Sequence, residues 1–379
     1  MELLNIKNKL ILMHIVYIGL SYYPPQIGKV DIMKISDEAS KDIDNRVVIF
    51  AKRRKGEPFI EKLGNKTIYR LSSRGENSII DEFKYIFFIP FILRKNKILV
   101  DVFHIYNPFF LVSILNIFLR IAYRKSNIIF DIRTGPLKEG FKKILNYTLI
   151  TLGHITASKT IVIHKNLLKN FFYTKKGSTY EVALGFEKSK KLPIQNDNPS
   201  LRKYIYIGSI YPRRDIDTLL GAFSKYLLSY PNDTLSLLGG GDIAYIEMLK
   251  NKYSTKNISF LGAVAQDSVQ SYLTESNYGV AYIPMSSYFM DQPPLKTIEY
   301  LGIGIPVIGT KTHGNEVFIT NTNGILCNDS IEEFAEGLLL FRRKFETYPP
   351  LHIIHSVESY EWKNIYTNLK NTIYSTMDD

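Results

Sequence analysis

Short apolar runs rich in β-branched and aromatic residues alternate along the chain with longer stretches of helical periodicity. In the first half the strand-like runs are HIVYIGLS (14–21), RVVIFAK (46–52), TIYRL (67–71), DVFHIY (101–106), NIIFDI (127–132) and TIVIH (160–164). Helical stretches fall between them, notably Phe109–Tyr123 and Gly140–Ala157. The second half repeats the pattern, with strands at 204–209, 235–240, 258–262, 278–284 and 306–310 and helices at 218–228, 243–252, 268–275 and 295–302. Such alternation predicts βαβ units and parallel sheets. The segment Glu187–Arg202 (EKSKKLPIQNDNPSLR) is polar, holds two prolines and lacks periodicity, so it predicts a linker. The expected organisation is α/β: a Rossmann-like domain over 1–190, a second over 202–355, and a C-terminal helix in 356–379 that packs back on the first domain. Doubly wound sheets bind ligands at the carboxyl ends of their strands, so a cleft between two such domains is the expected site.

Composition narrows the classes. A length of 379 residues suits two domains, and 45% hydrophobic with 22% charged residues excludes a disordered polymer, a collagen-like fibre or a disulfide scaffold. Cys327 is the single cysteine, so no intramolecular disulfide forms and a reducing compartment is expected. The charge-free run 102–119 is broken by His104, Asn107, Pro108 and Asn116, and falls short of the about 20 apolar residues a membrane helix needs. The N-terminal apolar run has no small-residue cleavage signal and leads into the first strand, so a cytoplasmic location is expected.

Charge adds an asymmetry. The net charge is +12, but residues 1–190 hold 32 basic and 16 acidic side chains, and residues 191–379 hold 16 and 20. The first half is therefore +16 and the second −4. Nucleic acid, an anionic membrane or phosphorylated substrates all suit a basic surface. The acidic second half and the lack of interleaved aromatic–basic stretches argue against nucleic acid.

Three segments of the second half carry candidate chemistry. In YIGSIYPRRDIDTLLGAF (206–223) a strand ends at Gly208 and a turn with Arg213 and Arg214 leads into a helix. Glycine admits a ligand close to the backbone, helix-start N–H groups attract anions, and arginines add charge-assisted bonds to phosphate. A surface turn with solvated arginines is the alternative. In LLGGGD (237–242) three glycines permit close backbone approach, but a plain turn fits equally, and the spacing is not that of a dinucleotide fingerprint. In DQPPLKTIEYLGIGIPVIGT (291–310) Pro293 and Pro294 suit a helix start, and Lys296 lies three residues before Glu299 on one helix face. A carboxylate there can bind ribose hydroxyls, and a lysine with free helix-start N–H groups can hold a diphosphate. An acid–base pair in water is the alternative.

Taken together, these segments resemble the retaining, nucleotide-sugar-dependent glycosyltransferases of family 4, which have the GT-B fold. The family pattern of an acidic residue, seven others, Glu, a short helix, glycine and Pro-Val reads here as Asp291, Glu299, Tyr300-Leu301-Gly302-Ile303-Gly304 and Pro306-Val307. Further matches are Gly208, Ser209 and Arg214; Gly239 and Gly241; Phe260, Gly262 and Val264; His313-Gly314-Asn315-Glu316 in part; and Ser359 with Trp362. In the first half the likeness is looser: Tyr23-Pro24-Pro25-Gln26-Ile27-Gly28 and Asp101-Val102-Phe103-His104-Ile105-Tyr106, where Tyr106 replaces a histidine, and Asp131-Ile132-Arg133.

The resemblance implies transfer of a sugar from a nucleoside diphosphate to a hydroxyl, with retention. It implies that Arg214 and Lys296 stabilise the leaving diphosphate and Asp291 meets the donor sugar, with Tyr106 beside it. Glu299 would bind ribose, and Gly28, Gly208, Ser209, Arg213, Gly240, Gly241, Val264, Pro294, Leu295 and Thr297 would line the donor site. His104, Asn107 and Arg133 are candidates on the acceptor side; His104 also reads as a structural histidine and Arg133 as an exposed loop arginine. Neither a cofactor nor a metal is implied. The expected donor is a UDP-sugar, with a GDP-sugar as the alternative. The expected acceptor is a glycan or lipid-linked glycan of bacterial surface polysaccharide. The basic first domain is expected on an anionic membrane surface, through Lys52-Arg53-Arg54-Lys55 and the residues around Arg120, Arg124 and Lys125. A nucleotide-sugar 2-epimerase of the same fold is the competing enzyme class, and a nucleic-acid binder the remaining one.

Overall fold

A computed structural model describes residues 12–23, 31–72, 79–106, 111–133, 141–170, 177–189, 192–194, 200–264, 266–291 and 294–374. Contacts divide the chain into one unit of Met1–Val182 with Ile365–Asp379, and a second of Ala183–Asn364. The division falls before the expected linker because Phe186 bridges to Glu361 and packs its ring against Gly302, both in the second unit.

In the first unit, β1 (Met13–Tyr22), α1 (Asp31–Lys41), β2 (Asn45–Arg53), β3 (Ile60–Leu63), β4 (Lys66–Ser72), α2 (Ile79–Lys95), β5 (Val102–Tyr106), α3 (Val112–Ala122), β6 (Asn127–Ile132), α4 (Phe141–Thr156), β7 (Lys159–Val162) and β8 (Thr179–Glu181) follow in order. They form an eight-stranded sheet of order β3-β4-β2-β1-β5-β6-β7-β8. Only the β3–β4 pair is antiparallel among the described pairings. The inner strands are buried on both sides, so they read as apolar runs and not as alternating ones, whereas the edge strands β3 and β8 are not. One face, with Val16, Ile18, Phe103, Ile105, Phe130 and Val162, packs on the inner sides of α2, α3 and α4.

The opposite face carries Tyr17 and His104, which are paired in register across β1 and β5. Against it lie the residues after Ile365: the Asn45 amide donates to the Tyr366 hydroxyl at 2.5 Å, and Lys370 Nζ donates to Asp42 at 2.6 Å. Lys52, an expected membrane contact, is buried at 3% exposure on β2 and faces no membrane. Its exclusion follows from its place in the buried run 47–52 of that strand, whose Arg46 and Arg53 are exposed.

The second unit runs β9 (Lys203–Ile207), α5 (Ile216–Tyr226), β10 (Thr234–Leu238), α6 (Ile243–Tyr253), β11 (Ile258–Gly262), α7 (Gln266–Thr274), β12 (Tyr278–Ala281), α8 (Leu295–Gly302), β13 (Val307–Thr310), α9 (His313–Glu316), β14 (Gly324–Cys327), α10 (Ile331–Lys344), α11 (Pro350–His355) and α12 (Trp362–Leu369), whose last residues belong to the first unit. Its six strands are all parallel, in the order β11-β10-β9-β12-β13-β14. That order reverses between β9 and β12, which creates a switch point where the flanking loops part and leave a crevice. In the first unit the equivalent reversal lies between β1 and β5.

Candidate functional site

The crevice of the second unit is where the candidate chemistry gathers. A cavity of about 210 Å³ is lined by Tyr206, Ile207 and Gly208 at the end of β9, by 280–283 at the end of β12, and by Arg214, Pro294, Leu295, Lys296 and Thr297. Two chain segments separated by some eighty residues thus meet because parallel topology places β9 beside β12.

Helix α8 points its first turn at this cavity. Pro294 is its N-cap and offers no side-chain acceptor, so the first-turn N–H groups have no side-chain cap. Unsatisfied N–H groups and the helix dipole favour an anion at this end. The helix is held in place by Tyr300, whose buried hydroxyl accepts the Ile207 N–H at 2.8 Å. A second tie is Thr297, fully buried, whose hydroxyl donates to Asn315 at 2.8 Å. The Asn315 amide in turn donates to the carbonyls of Ala281 and Thr310. Thr297, expected to hold the donor, therefore spends its hydroxyl on positioning α8, because the helix face it occupies is turned to the core.

Lys296 Nζ lies 2.6 Å from Glu299 Oε2, with side chains 29% and 26% exposed. The pair is accessible, as both the ligand-binding and the paired readings of the sequence require. Arg214 sits over the Phe289 ring at 4.4 Å, and Arg213 over Tyr288 at 5.5 Å while its guanidinium donates to the Tyr288 hydroxyl at 3.4 Å. These two aromatics form a shelf that aims both arginines. Asp291 is bonded to His313 Nδ1 at 2.8 Å, at the start of α9. Burial pushes the Tyr206 phenol up to about 12, so it stays a neutral hydroxyl beside the cavity at ordinary pH.

The glycines of 239–241 have a reason inside the fold. A Cβ on Gly239 would lie 1.9 Å from the Gly208 carbonyl oxygen, and one on Gly241 1.8 Å from that of Ile210. The two loops are laced by Ile210 N–H to Gly240 O at 2.9 Å and Asp242 N–H to Ile210 O at 2.9 Å. Close approach here is between two stretches of this backbone, at Gly239 and Gly241; Gly240 is exposed with only Ala263 near it, at 3.6 Å. Ser209, Gly240 and Gly241 of these loops, like Arg213 and Val264, are not among the residues lining the cavity.

The first-unit candidates have another fate. His104 is fully buried, with Nδ1 2.6 Å from the Tyr374 hydroxyl and Nε2 2.9 Å from Asp131. Arg133, 2% exposed, meets Asp131 through Nε at 2.7 Å and donates to the Val182 carbonyl at 3.0 Å. Burial raises the Asp131 carboxyl, but the Arg133 charge and the His104 hydrogen bond outweigh it and hold the group below its usual 3.8. Neither His104 nor Arg133 faces solvent, so both are withdrawn from the acceptor side; the exposed-loop reading of Arg133 fails with it. Tyr106 ends β5 half-buried. Gly28 and Asn107, with 24–30 and 107–110 around them, lie outside the described residues, as do Gln292 and Pro293.

The sequence does not single out Tyr206 or Phe289. Tyr206 shares its strand face with the core residue Tyr204, two positions earlier, so period two cannot tell them apart. His313 was visible only as part of an incomplete motif.

Residues 202–341 match the family model described as Glycosyl transferases group 1. Over those residues the second unit is similar to a glycosyltransferase group 1 domain. One subunit of the human phosphatidylinositol N-acetylglucosaminyltransferase is 23% identical over 167 residues, which cover 42% of this chain. The matched stretch spans about a third (34%) of that relative's length. Among solved structures, the lipopolysaccharide outer core galactosyltransferase WaaB in its apo form superposes with a TM-score of 0.67 at 14% identity, covering 96% of this chain and 99% of that one. Anabaena HepE in complex with UDP and glucose does so with a TM-score of 0.67 at 14% identity, covering 96% and 100%. At such identities the likeness establishes the fold: two parallel-sheet Rossmann-like domains, as the alternating pattern predicts, of the GT-B type that the resemblance implies. Among the described residues no helix is long and apolar enough to cross a membrane.

Proposed function

We propose that the protein transfers a sugar from a nucleoside-diphosphate sugar, a UDP-sugar first, to a hydroxyl acceptor with retention of configuration. The observation that carries this reading is the cavity at the β9/β12 switch point, where Gly208, Arg214, Lys296 and the start of α8 converge. The reaction needs positive charge where the diphosphate departs, supplied before the bond breaks. Arg214, Lys296 and the first-turn N–H groups of α8 supply it, so the reading requires neither a metal nor a cofactor. The 2.6 Å bond between Lys296 and Glu299 gives the site an exchange of partners: diphosphate takes Lys296, and Glu299 turns to the ribose hydroxyls. Asp291, steadied by His313, meets the hydroxyls of the donor sugar. The acceptor hydroxyl attacks on the face the diphosphate leaves, and its proton passes to the departing phosphate oxygen.

A bacterial surface glycan, free or lipid-linked, is the proposed acceptor, and the cytoplasm, at the inner membrane face, the proposed location. The solved relatives named for lipopolysaccharide galactosyl transfer and for binding UDP and glucose support this class of substrate. Incubation with UDP-, GDP- and ADP-sugars plus a glycan acceptor tests the reading. Release of nucleoside diphosphate that Glu299→Ala abolishes supports it. Epimerised sugar nucleotide formed without acceptor would assign the 2-epimerase reaction instead.

A further inference from the structure

Two guanidiniums leave one short turn of the second unit and end in different surroundings. Pro212–Arg214 form a single 3-10 turn. It is closed by the Arg214 N–H to the Tyr211 carbonyl at 2.8 Å and by the Asp215 N–H to the Pro212 carbonyl at 3.0 Å. The rings opposite are held as firmly. The Met285 N–H donates to the Asp329 carboxylate at 2.7 Å, and the N–H groups of Phe289 and Met290 donate to the Ser286 carbonyl at 3.0 and 2.9 Å. Tyr288 and Phe289 meet edge to face, with centroids 4.7 Å apart and planes at 87°. Arg214 stacks on Phe289, which is 3% exposed, and lines the cavity. Arg213 stacks on Tyr288, which is 37% exposed, and is itself exposed outside the cavity lining. Two perpendicular rings thus hold one guanidinium at the cavity and the other in solvent beside it.

Elsewhere a positioned arginine has an acid for a partner. Arg54, Arg70, Arg133 and Arg342 each meet a carboxylate oxygen, at 3.0, 2.5, 2.7 and 3.1 Å. Among the described residues Arg213 meets none; its contacts are the Tyr288 ring and, at 3.4 Å, the Tyr288 hydroxyl. That bond is longer than the about 2.7–3.2 Å of a well-made one, so it yields readily to a better acceptor. The planar fork of a guanidinium matches a carboxylate with two parallel bonds. A fork already stacked on a ring loses little further freedom when it closes on a ligand.

From this we infer that Arg213, stacked on Tyr288, binds a carboxylate of the substrate just outside the donor cavity, so that one of the two sugars brought together is an acidic sugar such as a uronic acid. The inference rests on the transfer reading and names its substrate class more closely. A single guanidinium balances a single carboxylate. A phosphate monoester, at about −1.5 to −2 near neutral pH, would call for a second cation, and Arg214 is engaged at the cavity. The acid belongs to the donor sugar or to the acceptor, and the two sources are separable by experiment.

The test is calorimetry of the full chain in two arms. In the first, UDP-glucose is compared with UDP-glucuronic acid. In the second, the chain saturated with UDP is titrated with cellobiose and with cellobiouronic acid. In one arm the acidic ligand should bind about ten- to a hundredfold more tightly than its neutral counterpart, as a charge-assisted bond contributes. A preference in the first arm places the acid on the donor, and one in the second places it on the acceptor. Arg213→Gln should abolish the preference, and Arg213→Lys should keep only part of it, because the fork and the stacking are lost with the guanidinium. Tyr288→Leu should reduce it, whereas Tyr288→Phe, which keeps the ring, should retain most of it. The readout is a ratio of acidic to neutral ligand, so a general loss of folded protein leaves it unmoved. Equal binding of acidic and neutral ligands in both arms, or a preference that survives Arg213→Gln, would overturn the inference while UDP binding leaves the transfer reading standing. A wild type that binds no UDP would overturn the transfer reading, and this inference with it.

Discussion

Two acid–base clusters of this molecule use the same side-chain types to opposite ends. In the first unit Asp131, Arg133 and His104 are sealed at 2% exposure or less, and every group leans on another. In the second, Lys296 and Glu299 stand at the mouth of a cavity with about a quarter of each side chain in solvent. A sealed cluster has its partners chosen for good, because losing one leaves a charge without water or counterion. An open pair is cheap to break, because water can stand in for either partner. The second arrangement suits exchange with a ligand; the first suits holding a sheet to the segment that covers it.

The comparison breaks first at Asp131. Asp131→Ala should cost about 3–5 kcal/mol of stability, read in urea unfolding, because Arg133 is left uncompensated in the interior. Its carboxyl lies below the usual 3.8 when folded. The contribution is therefore complete above that value and drains away as pH falls through the lower folded pKa. Stability measured down an acid series should fall less steeply in Asp131→Asn than in the wild type. If Asp131→Ala unfolds at the wild-type urea concentration, the cluster does not hold the sheet.

The glycine loops of the second unit give a smaller effect. Gly241→Ala puts a methyl 1.8 Å from a backbone oxygen that cannot swing aside, and should cost about 1–3 kcal/mol. Gly240→Ala meets its first neighbour at 3.6 Å and should stay within about 0.5 kcal/mol of wild type. Equal melting temperatures for the two variants would mean that the loops do not pack as described. Smaller again, Tyr17→Phe removes a hydroxyl 3.3 Å from that of Tyr374 and should cost about 0.5–1.5 kcal/mol in the same unfolding series.

The same comparison explains what the sequence discloses. The parallel strands are legible because β-branched runs between helical stretches have few other solutions. The residues that line the switch-point cavity are legible as a group because Gly208, Arg214 and residues 294–297 sit at strand ends and a helix start, where local chemistry announces itself. Burial of His104 is not legible, since the residue that covers it, Tyr374, is 270 positions away. Helix α2 escapes notice because it is apolar on nearly all sides and holds Pro90, so no helical period stands out. With 26 tyrosines and 22 phenylalanines in the chain, Tyr206 and Phe289 look like core.

The central claim is that the switch-point cavity of the second unit holds a nucleoside diphosphate through Lys296 and the start of α8. Calorimetric titration of UDP and GDP into the wild type and into Lys296→Ala tests it directly. The account predicts that at least one nucleotide binds, and that Lys296→Ala weakens it by about ten- to a hundredfold, the worth of a charge-assisted bond to phosphate. Wild-type affinity in Lys296→Ala, or no binding of either nucleotide to the wild type, would contradict it.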